Sequence, residues 1–162
     1  MGQDIFSNIA ILKISESNRD GALKKLAEHM IAKGYAKPGY CEALIERENA
    51  YPTGLHTHGI KIAIPHADAE WTLLPALAIG LLDQPVIFKP MGGQGSDVQV
   101  GLIFMLTLSD PSAHIDFLRA FSHIIEDEEV MKQYEENQDI QFLVNQLRLE
   151  FSSESNPIRP SA

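Results

Sequence analysis

Histidine is the residue type in this sequence best suited to chemistry near neutral pH, because its ordinary pKa lies near 6.5. His66 has the most informative surroundings, since it directly follows the apolar run Ile62-Ala63-Ile64-Pro65. Pro65 cannot donate to a sheet ladder, so the sequence predicts that a strand ends there and delivers His66 to the sheet edge. Catalytic groups of open α/β folds gather at such strand ends. A loop histidine without a function is the alternative that the spacing leaves open.

Two further side chains are candidates for binding a phosphoryl group. His114 lies in the predicted first turn of a helix, where backbone N–H groups without intrahelical partners favour an anion. Arg47 ends an earlier predicted helix, and its planar guanidinium can clamp a phosphate bidentately. Each has a simpler explanation, because Arg47 can pair with its neighbours Glu46 and Glu48 on the surface and His114 can be a surface histidine beside a helix cap.

A catalytic zinc site is a rival use of the histidines. His56 and His58 alternate and would share one face of a strand, and with His66 they offer three imidazoles. No HExxH or comparable helical spacing supports such a site, so we predict no metal and no cofactor and keep a metal hydrolase as a rival hypothesis. The glycine-rich run 91–96 matches neither nucleotide-binding motif. The single cysteine, Cys41, falls on the apolar face of a predicted helix and is expected to be a core residue.

Hydrophobic periodicity places these side chains in one α/β layered domain over residues 5–151, with a mixed sheet of about five strands flanked by helices. Residues 152–162 carry no such periodicity and are predicted to form a loose C-terminal tail. Strands are predicted over residues 8–14, 60–64, 76–82, 86–88 and 98–108.

The helices are predicted from their start and stop signals. The first begins at Ser17, which forms a variant capping box with Asp20, and Gly34 caps its C-terminal end. The second begins at Pro38, whose missing N–H costs nothing in a first turn. Shorter helices begin near residue 126 and cover 140–149. A helix over 110–125 is expected to bury Ile115, Leu118, Phe121 and Ile125.

Composition narrows the choice of partners. The chain has 162 residues, of which 22 are acidic and 13 basic, and its formal net charge is -9. This balance argues against binding to nucleic acid or to anionic lipid, and it permits a partner with a basic face. We find no apolar run of the roughly 20 residues that span a membrane and no secretory signal, and a single cysteine fits a reducing cytoplasm.

The run Gly59-Ile60-Lys61-Ile62-Ala63-Ile64-Pro65-His66-Ala67 resembles the active-site signature of enzyme IIA domains of the fructose–mannitol class. These domains belong to the bacterial sugar phosphotransferase system. Arg47-Glu48 matches the family's upstream Arg-Glu pair, and His114 matches its downstream histidine at the start of a helix. Residues 51–55, 64–68 and 88–92 look most like the galactitol-type enzyme IIA.

The resemblance implies a phosphoryl carrier that acts by covalent catalysis. His66 would accept a phosphoryl group on Nε2 from phosphorylated HPr and pass it to a cysteine of an enzyme IIB. The IIB component would serve polyol uptake through the membrane component IIC, with which this chain would have no direct contact. Arg47 would clamp the phosphate and His114 would stabilise the phosphoryl group. The alternative is a regulatory phosphohistidine module of the nitrogen-related type, which is not coupled to a transporter.

Overall fold

The computed structural model describes residues 4–154, and the described chain contains five strands and five α-helices. It falls into two compact units. The first contains the described residues up to 56 together with 61–109, and the second contains 57–60 together with the described residues from 110 onward. The elements of the first unit are β1 (Ile9–Ile14), α1 (Arg19–Ala32), α2 (Tyr40–Ala50), β2 (Gly54–Leu55), β3 (Lys61–Ala63), β4 (Ala76–Phe88) and β5 (Val98–Thr107). Those of the second unit are α3 (Pro111–Glu126), α4 (Glu128–Asn137) and α5 (Ile140–Glu154).

The five strands form one mixed sheet in the order β1-β4-β5-β3-β2. β1 is parallel to β4 and β3 is parallel to β5, whereas β4 is antiparallel to β5 and β2 is antiparallel to β3. The predicted α/β fold class, a mixed sheet of about five strands with helices, is therefore confirmed. β3 lies between β5 and β2 in this order. The residues that follow β3 therefore emerge at its C-terminal end, next to both of these strands.

Two of the predicted strands are one strand, and a fifth strand forms where a turn was expected. Residues 76–82 and 86–88 both belong to β4, whose pairing with β5 shifts in register between Leu81 and Val86. The irregularity accommodates Pro85, which has no N–H for a regular ladder. The two-residue strand β2 lies in the predicted turn, because Gly54 approaches the backbone of residue 89 closely: its N–H donates to the Lys89 carbonyl at 3.1 Å.

The helix starts in the first unit differ from the predicted ones. Asn18, not Ser17, caps α1, since its side chain accepts a 2.8 Å hydrogen bond from the Gly21 N–H. α2 begins at Tyr40 and not at Pro38, because Gly39 at its N-cap has φ +95°. That left-handed conformation interrupts the helical path, so Pro38 lies outside the helix.

The core of the first unit lies between the sheet and its helices. α1 packs against β4, and the first five residues of β4, 76–80, are buried on both faces of the sheet. Cys41 is half-buried against this core, as predicted, and burial raises the pKa of its thiol. The fully buried side chains of α1 are Ala22, Leu23, Leu26, Ala27 and Met30.

In the second unit, α3 packs against α4 and α5, but its buried face is not the predicted one. Phe121 is buried as expected, whereas Ile115 is 53% exposed and Leu118 and Ile125 are half-buried. The fully buried Phe117 contacts Phe151 of α5, with ring centroids 6.3 Å apart, and this aromatic contact between the two helices places Phe117 on the buried face. The buried residues of α3 are Phe117, Ala120, Phe121 and Ile124.

The C-terminal end of the described chain is helical for longer than predicted. α5 continues through residues 152–154, which were expected to begin the loose tail, and the remainder of that tail lies outside the described residues. Between residues 4 and 154, no helix is both long enough and apolar enough to cross a bilayer.

Candidate functional site

His66 lies just beyond the C-terminal end of β3, at the position that the sequence predicted. It forms an isolated parallel bridge with Leu106 of β5, and the Leu106 N–H donates to the Pro65 carbonyl at 3.2 Å. Ile64 and Pro65 are buried, whereas His66 is half-buried. The sheet therefore fixes the backbone of His66 and leaves part of its imidazole open to solvent.

The imidazole of His66 is oriented by its own strand. Its Nδ1 atom lies 3.0 Å from the Ile64 carbonyl oxygen. A carbonyl oxygen can only accept a hydrogen bond, so Nδ1 carries the proton, and the neutral ring has its lone pair on Nε2. This arrangement makes Nε2 the nucleophilic atom of the neutral imidazole.

His66 and Arg47 line the same cavity, which has a volume of about 360 Å³ and is wide open to solvent. Arg47 comes from the last turn of α2, and Tyr51 and Met91 form exposed parts of the rim. The cavity is larger than a phosphoryl group, and it is its imidazole and guanidinium that suit an anion such as a phosphoryl group. The lining residues are Arg47, Ala50, Tyr51, Pro52, Thr53, His66, Met91, Gly92 and Gly93.

Arg47 contacts Asp68 and Tyr51, and not the acidic residues on either side of it in the sequence. Its Nη1 atom donates a 2.9 Å hydrogen bond to Oδ1 of Asp68, and its guanidinium carbon lies 5.4 Å from the centroid of the Tyr51 ring. The suggested surface pairing with Glu46 or Glu48 is wrong. Glu48 is buried inside the protein, and the ion pair of Arg47 is with Asp68 and not with Glu46. Asp68, two positions after His66, holds the guanidinium instead.

Glu48 is a site residue that the sequence reasoning missed. Only 2% of its surface is exposed, and its carboxylate accepts hydrogen bonds from both the N–H and the hydroxyl of Thr53. Burial raises the pKa of Glu48 to about 7, while the Thr53 hydrogen bonds and the charges of Arg19 and Arg47 act in the opposite direction. One signal was available, because Glu48 follows the buried Leu44 by four positions and therefore shares its helix face.

The glycine-rich loop 91–96 also contributes to this cavity, although it carries no nucleotide motif. Gly92 and Gly93 both have positive φ values, 84° and 73°, and lie on the cavity wall. The loop is closed at its base by a 2.9 Å ion pair between Lys89 and Asp97. The N–H groups of Met91 and Gly93 already donate to the Gly54 and Pro90 carbonyls, so the loop shapes the cavity wall and is itself held by backbone hydrogen bonds.

The other candidate histidines take separate places. His56 Nε2 lies 2.9 Å from the Ser96 carbonyl oxygen in the first unit, and His58 lies 4.0 Å from a carboxylate oxygen of Glu128 in the second. Neither lies in a strand, so the shared strand face expected for them does not form. Over the described range, no group of three or more His, Cys, Asp or Glu side chains is arranged to hold a metal ion.

His114 lies in the first turn of α3, in the second unit. The helix is capped by Asp110, whose side chain accepts a 3.0 Å hydrogen bond from the Ser112 N–H. The His114 N–H donates to the Asp110 carbonyl at 3.0 Å, and the residue is half-buried. The predicted helix start at Asp110-Pro111-Ser112 is thus confirmed.

Comparison with known proteins gives a consistent picture. A sequence model described as "Phosphoenolpyruvate-dependent sugar phosphotransferase system, EIIA 2" matches residues 5–149. The galactitol-specific EIIA component of Escherichia coli K12 is 31% identical over 106 residues, which cover 65% of this chain and 70% of that protein. The mannitol-specific enzyme IIA component of Halalkalibacterium halodurans is 27% identical over 133 residues, which cover 80% of this chain and 84% of that protein.

A solved structure shares the fold. The Escherichia coli complex of enzyme IIAMTL and phosphorylated enzyme IIBMTL contains a chain that superimposes with a TM-score of 0.67 at 20% sequence identity. The match covers 91% of this chain and 99% of the other. At that identity the likeness concerns the fold alone.

Proposed function

Because this chain belongs to the EIIA 2 family of the phosphoenolpyruvate-dependent sugar phosphotransferase system, we propose that its phosphoryl-carrier role is performed by His66. The observation that carries the proposal is that His66 and Arg47 line one open cavity, with the lone pair of the neutral imidazole on Nε2. An imidazole and a guanidinium in one small cavity are the two groups that phosphoryl transfer to histidine requires, a nucleophile and a positive charge.

The proposed reaction is a displacement at phosphorus. Nε2 of His66 attacks the phosphoryl group on the active histidine of HPr, an N–P bond forms at His66, and the N–P bond of HPr breaks. The proton on Nδ1 stays on its hydrogen bond to the Ile64 carbonyl. The active histidine of HPr leaves as a neutral imidazole when its other ring nitrogen carries a proton, as Nδ1 of His66 does, so no proton has to be transferred between the two rings. Such transfers pass through a loose transition state, which makes positioning and charge stabilisation the main contributions of the protein.

Arg47 is proposed to clamp the phosphoryl oxygens. Its side chain is 35% exposed, so the guanidinium is open to the cavity as well as to Asp68. Its cation–π contact with Tyr51 restricts the position of the guanidinium, which lowers the entropy lost when it binds the phosphoryl group.

His114 is proposed to stabilise the phosphoryl group, as the family resemblance implies. Its place in the first turn of α3 supports this role, because the backbone N–H groups there favour an anion. We expect His114→Ala to fold normally and to be phosphorylated more slowly. A wild-type rate of phosphorylation would remove His114 from the mechanism.

The onward partner is proposed to be a cysteine of a galactitol-type enzyme IIB that serves polyol uptake. The sequence similarity to a galactitol-specific EIIA component supports the polyol, and the likeness of the fold to an enzyme IIA solved with phosphorylated enzyme IIB supports the partner. We propose that the carrier is cytoplasmic. It would deliver its phosphoryl group to IIB, and only IIB would contact the membrane component IIC.

A reconstituted relay tests this function. The protein is incubated with phosphoenolpyruvate, enzyme I and HPr, and we expect one acid-labile phosphoryl group per chain. His66→Ala should abolish the label, and His123→Ala, a variant of an exposed histidine on α3, should keep it. A fully labelled His66→Ala variant would refute the assignment. If purified galactitol IIB accepts no phosphoryl group from the labelled protein, the regulatory alternative replaces the transport role.

A further inference from the structure

Among the side chains that the structure describes, Glu48 is the buried acidic one. It lies in the last turn of α2, and its two carboxylate oxygens both accept from Thr53. Oε2 accepts from the Thr53 N–H at 2.6 Å, and Oε1 accepts from the Thr53 hydroxyl at 2.5 Å. Both acceptor atoms are thus used to hold a single residue of the segment that joins α2 to β2.

Thr53 connects Glu48 to the imidazole of His66 through the backbone. The Thr53 carbonyl accepts a 3.4 Å hydrogen bond from the Ile64 N–H, and the Ile64 carbonyl accepts from His66 Nδ1 at 3.0 Å. Thr53 also lines the cavity that contains His66. Any displacement of Thr53 therefore moves the carbonyl group that fixes the proton and the orientation of the ring.

A carboxylate at this position is costly because it is buried, and the charges of Arg19 and Arg47 offset that cost less than the Thr53 hydrogen bonds do. Leu44, one turn earlier on the same face of α2, shows that an apolar side chain suits this environment. A buried carboxylate lowers stability unless its hydrogen bonds are satisfied. Arg47, the adjacent cation, donates to Asp68 and makes no ion pair with Glu48. What distinguishes Glu48 from an apolar residue is its double hydrogen bond to Thr53.

We infer that Glu48 is a positioning residue that fixes the tautomer and orientation of His66 through Thr53 and Ile64. The inference rests on the proposed function, because the orientation of His66 matters for phosphoryl transfer only if His66 is the nucleophile. When Glu48 is removed, the Thr53 segment loses two hydrogen bonds, the Ile64 carbonyl is no longer held in place, and the imidazole samples both tautomers. The nucleophilic lone pair on Nε2 is then present for only part of the time.

A purely structural role for Glu48 predicts something different. It would lower the free energy of unfolding and leave the folded state of His66 as it is. The two roles therefore separate in a measurement on the folded protein, namely the nitrogen chemical shifts of the His66 ring. In a neutral imidazole, protonated and unprotonated ring nitrogens have well-separated shifts, so their values give the tautomer directly.

The experiment compares Glu48→Ala with Glu48→Gln and with the control Glu46→Gln, an exposed acidic residue on the same helix. Nitrogen spectra of the histidine rings are recorded above the His66 pKa, and phosphorylation by HPr is timed. We expect wild type and the control to show Nδ1–H at His66. Glu48→Ala should show averaged shifts and phosphorylate about tenfold more slowly with little change in KM. Glu48→Gln should restore most of the Nδ1–H signal and most of the phosphorylation rate, because the amide oxygen of glutamine can still accept from Thr53.

Each failure has a separate meaning. Wild-type ring shifts in a folded Glu48→Ala variant would overturn the inference whether or not the protein is a phosphoryl carrier. If wild type takes up no phosphoryl group, the proposed function fails while the ring shifts still decide the link from Glu48 to His66. If Glu48→Ala does not fold, Thr53→Val takes its place, since it removes the hydroxyl bond alone. Wild-type shifts and rate in Thr53→Val would then also overturn the inference.

Discussion

The hydroxyl group of Tyr40 donates a 2.9 Å hydrogen bond to the carbonyl oxygen of Leu106, and Leu106 is the residue that bridges His66. Tyr40 is the first residue of α2 and is almost fully buried. Burial raises the pKa of its hydroxyl, so the group remains a neutral donor. α2 is thus linked to the segment after β3 at both of its ends. At its start, Tyr40 binds Leu106 of β5, which bridges His66. At its end, Glu48 binds Thr53, whose carbonyl accepts from Ile64.

Tyr40→Phe should lower the free energy of unfolding by about 1–2 kcal/mol. The substitution keeps the ring in the core and removes the donor for the Leu106 carbonyl, which is left in a buried environment. Urea denaturation measures the effect, and Tyr51→Phe, which removes a hydroxyl from an exposed ring, is the matched control. Equal midpoints for the two variants would contradict the importance of this hydrogen bond.

Glu48 should make stability depend on pH in a defined window. Its pKa rises from 4.5 to about 7 on folding, chiefly because it is buried. The folded state therefore binds the proton more tightly than the unfolded state does. The stabilising contribution is fully present below about pH 4.5 and is lost as the pH rises through about 7.

Glu48→Gln removes this titration and is expected to flatten the pH dependence. The difference in free energy of unfolding between variant and wild type should change by on the order of 3 kcal/mol between pH 4.5 and pH 8. Denaturant titrations at several pH values measure it, with Glu46→Gln as the control. Parallel curves for Glu48→Gln and wild type would show that the pKa of Glu48 is not raised.

Arg47→Lys should slow phosphorylation by on the order of tenfold to a hundredfold without unfolding the protein. Lysine keeps the charge but loses the planar pair of donors and changes the cation–π contact with Tyr51. Stopped-flow or quenched labelling with phosphorylated HPr gives the rate, and Arg119→Lys, an exposed substitution on α3, controls for general effects. A wild-type rate would exclude Arg47 from the proposed clamp.

Gly59→Ala should destabilise the protein by about 1–2 kcal/mol, because Gly59 has φ +71°, a conformation that costs a residue with a side chain. A Cβ atom there would also clash with a carboxylate oxygen of Glu135, which lies in the same unit, although that flexible side chain can move away. Gly59→Asn should cost less, since asparagine tolerates left-handed backbone. Thermal unfolding compares the two variants with wild type. Equal melting temperatures for Gly59→Ala and wild type would show that a side chain at this position causes no backbone strain.

Raised salt should slow phosphorylation by HPr. The net charge of -9 and the exposed Asp68 beside the proposed site favour attraction of a basic partner face. Screening at about 0.5 M salt shortens the Debye length to a few ångströms and weakens this attraction. The rate constant of the encounter is measured at low substrate over a series of NaCl concentrations. A rate that does not change with salt would leave the charge without a role in binding.

The sequence by itself determined the position of His66. Alternation along β3 and the missing N–H of Pro65 are local properties, since they depend on residues that are neighbours in the chain. The signature around His66 is contiguous for the same reason, so the family could be named before any coordinates. Charge and composition likewise needed no structure to argue against nucleic acid and anionic lipid as partners.

Only the tertiary structure decided which groups surround that histidine. Asp68 binds Arg47 across 21 positions of sequence, and Glu48 was free to be a surface residue until α2 packed against the sheet. The strand at Gly54–Leu55 exists because another strand pairs with it, and the buried face of α3 includes Phe117, whose ring contacts Phe151 of α5. Local patterns report the energies of adjacent residues, whereas partner choice and burial depend on contacts that form only when distant segments pack.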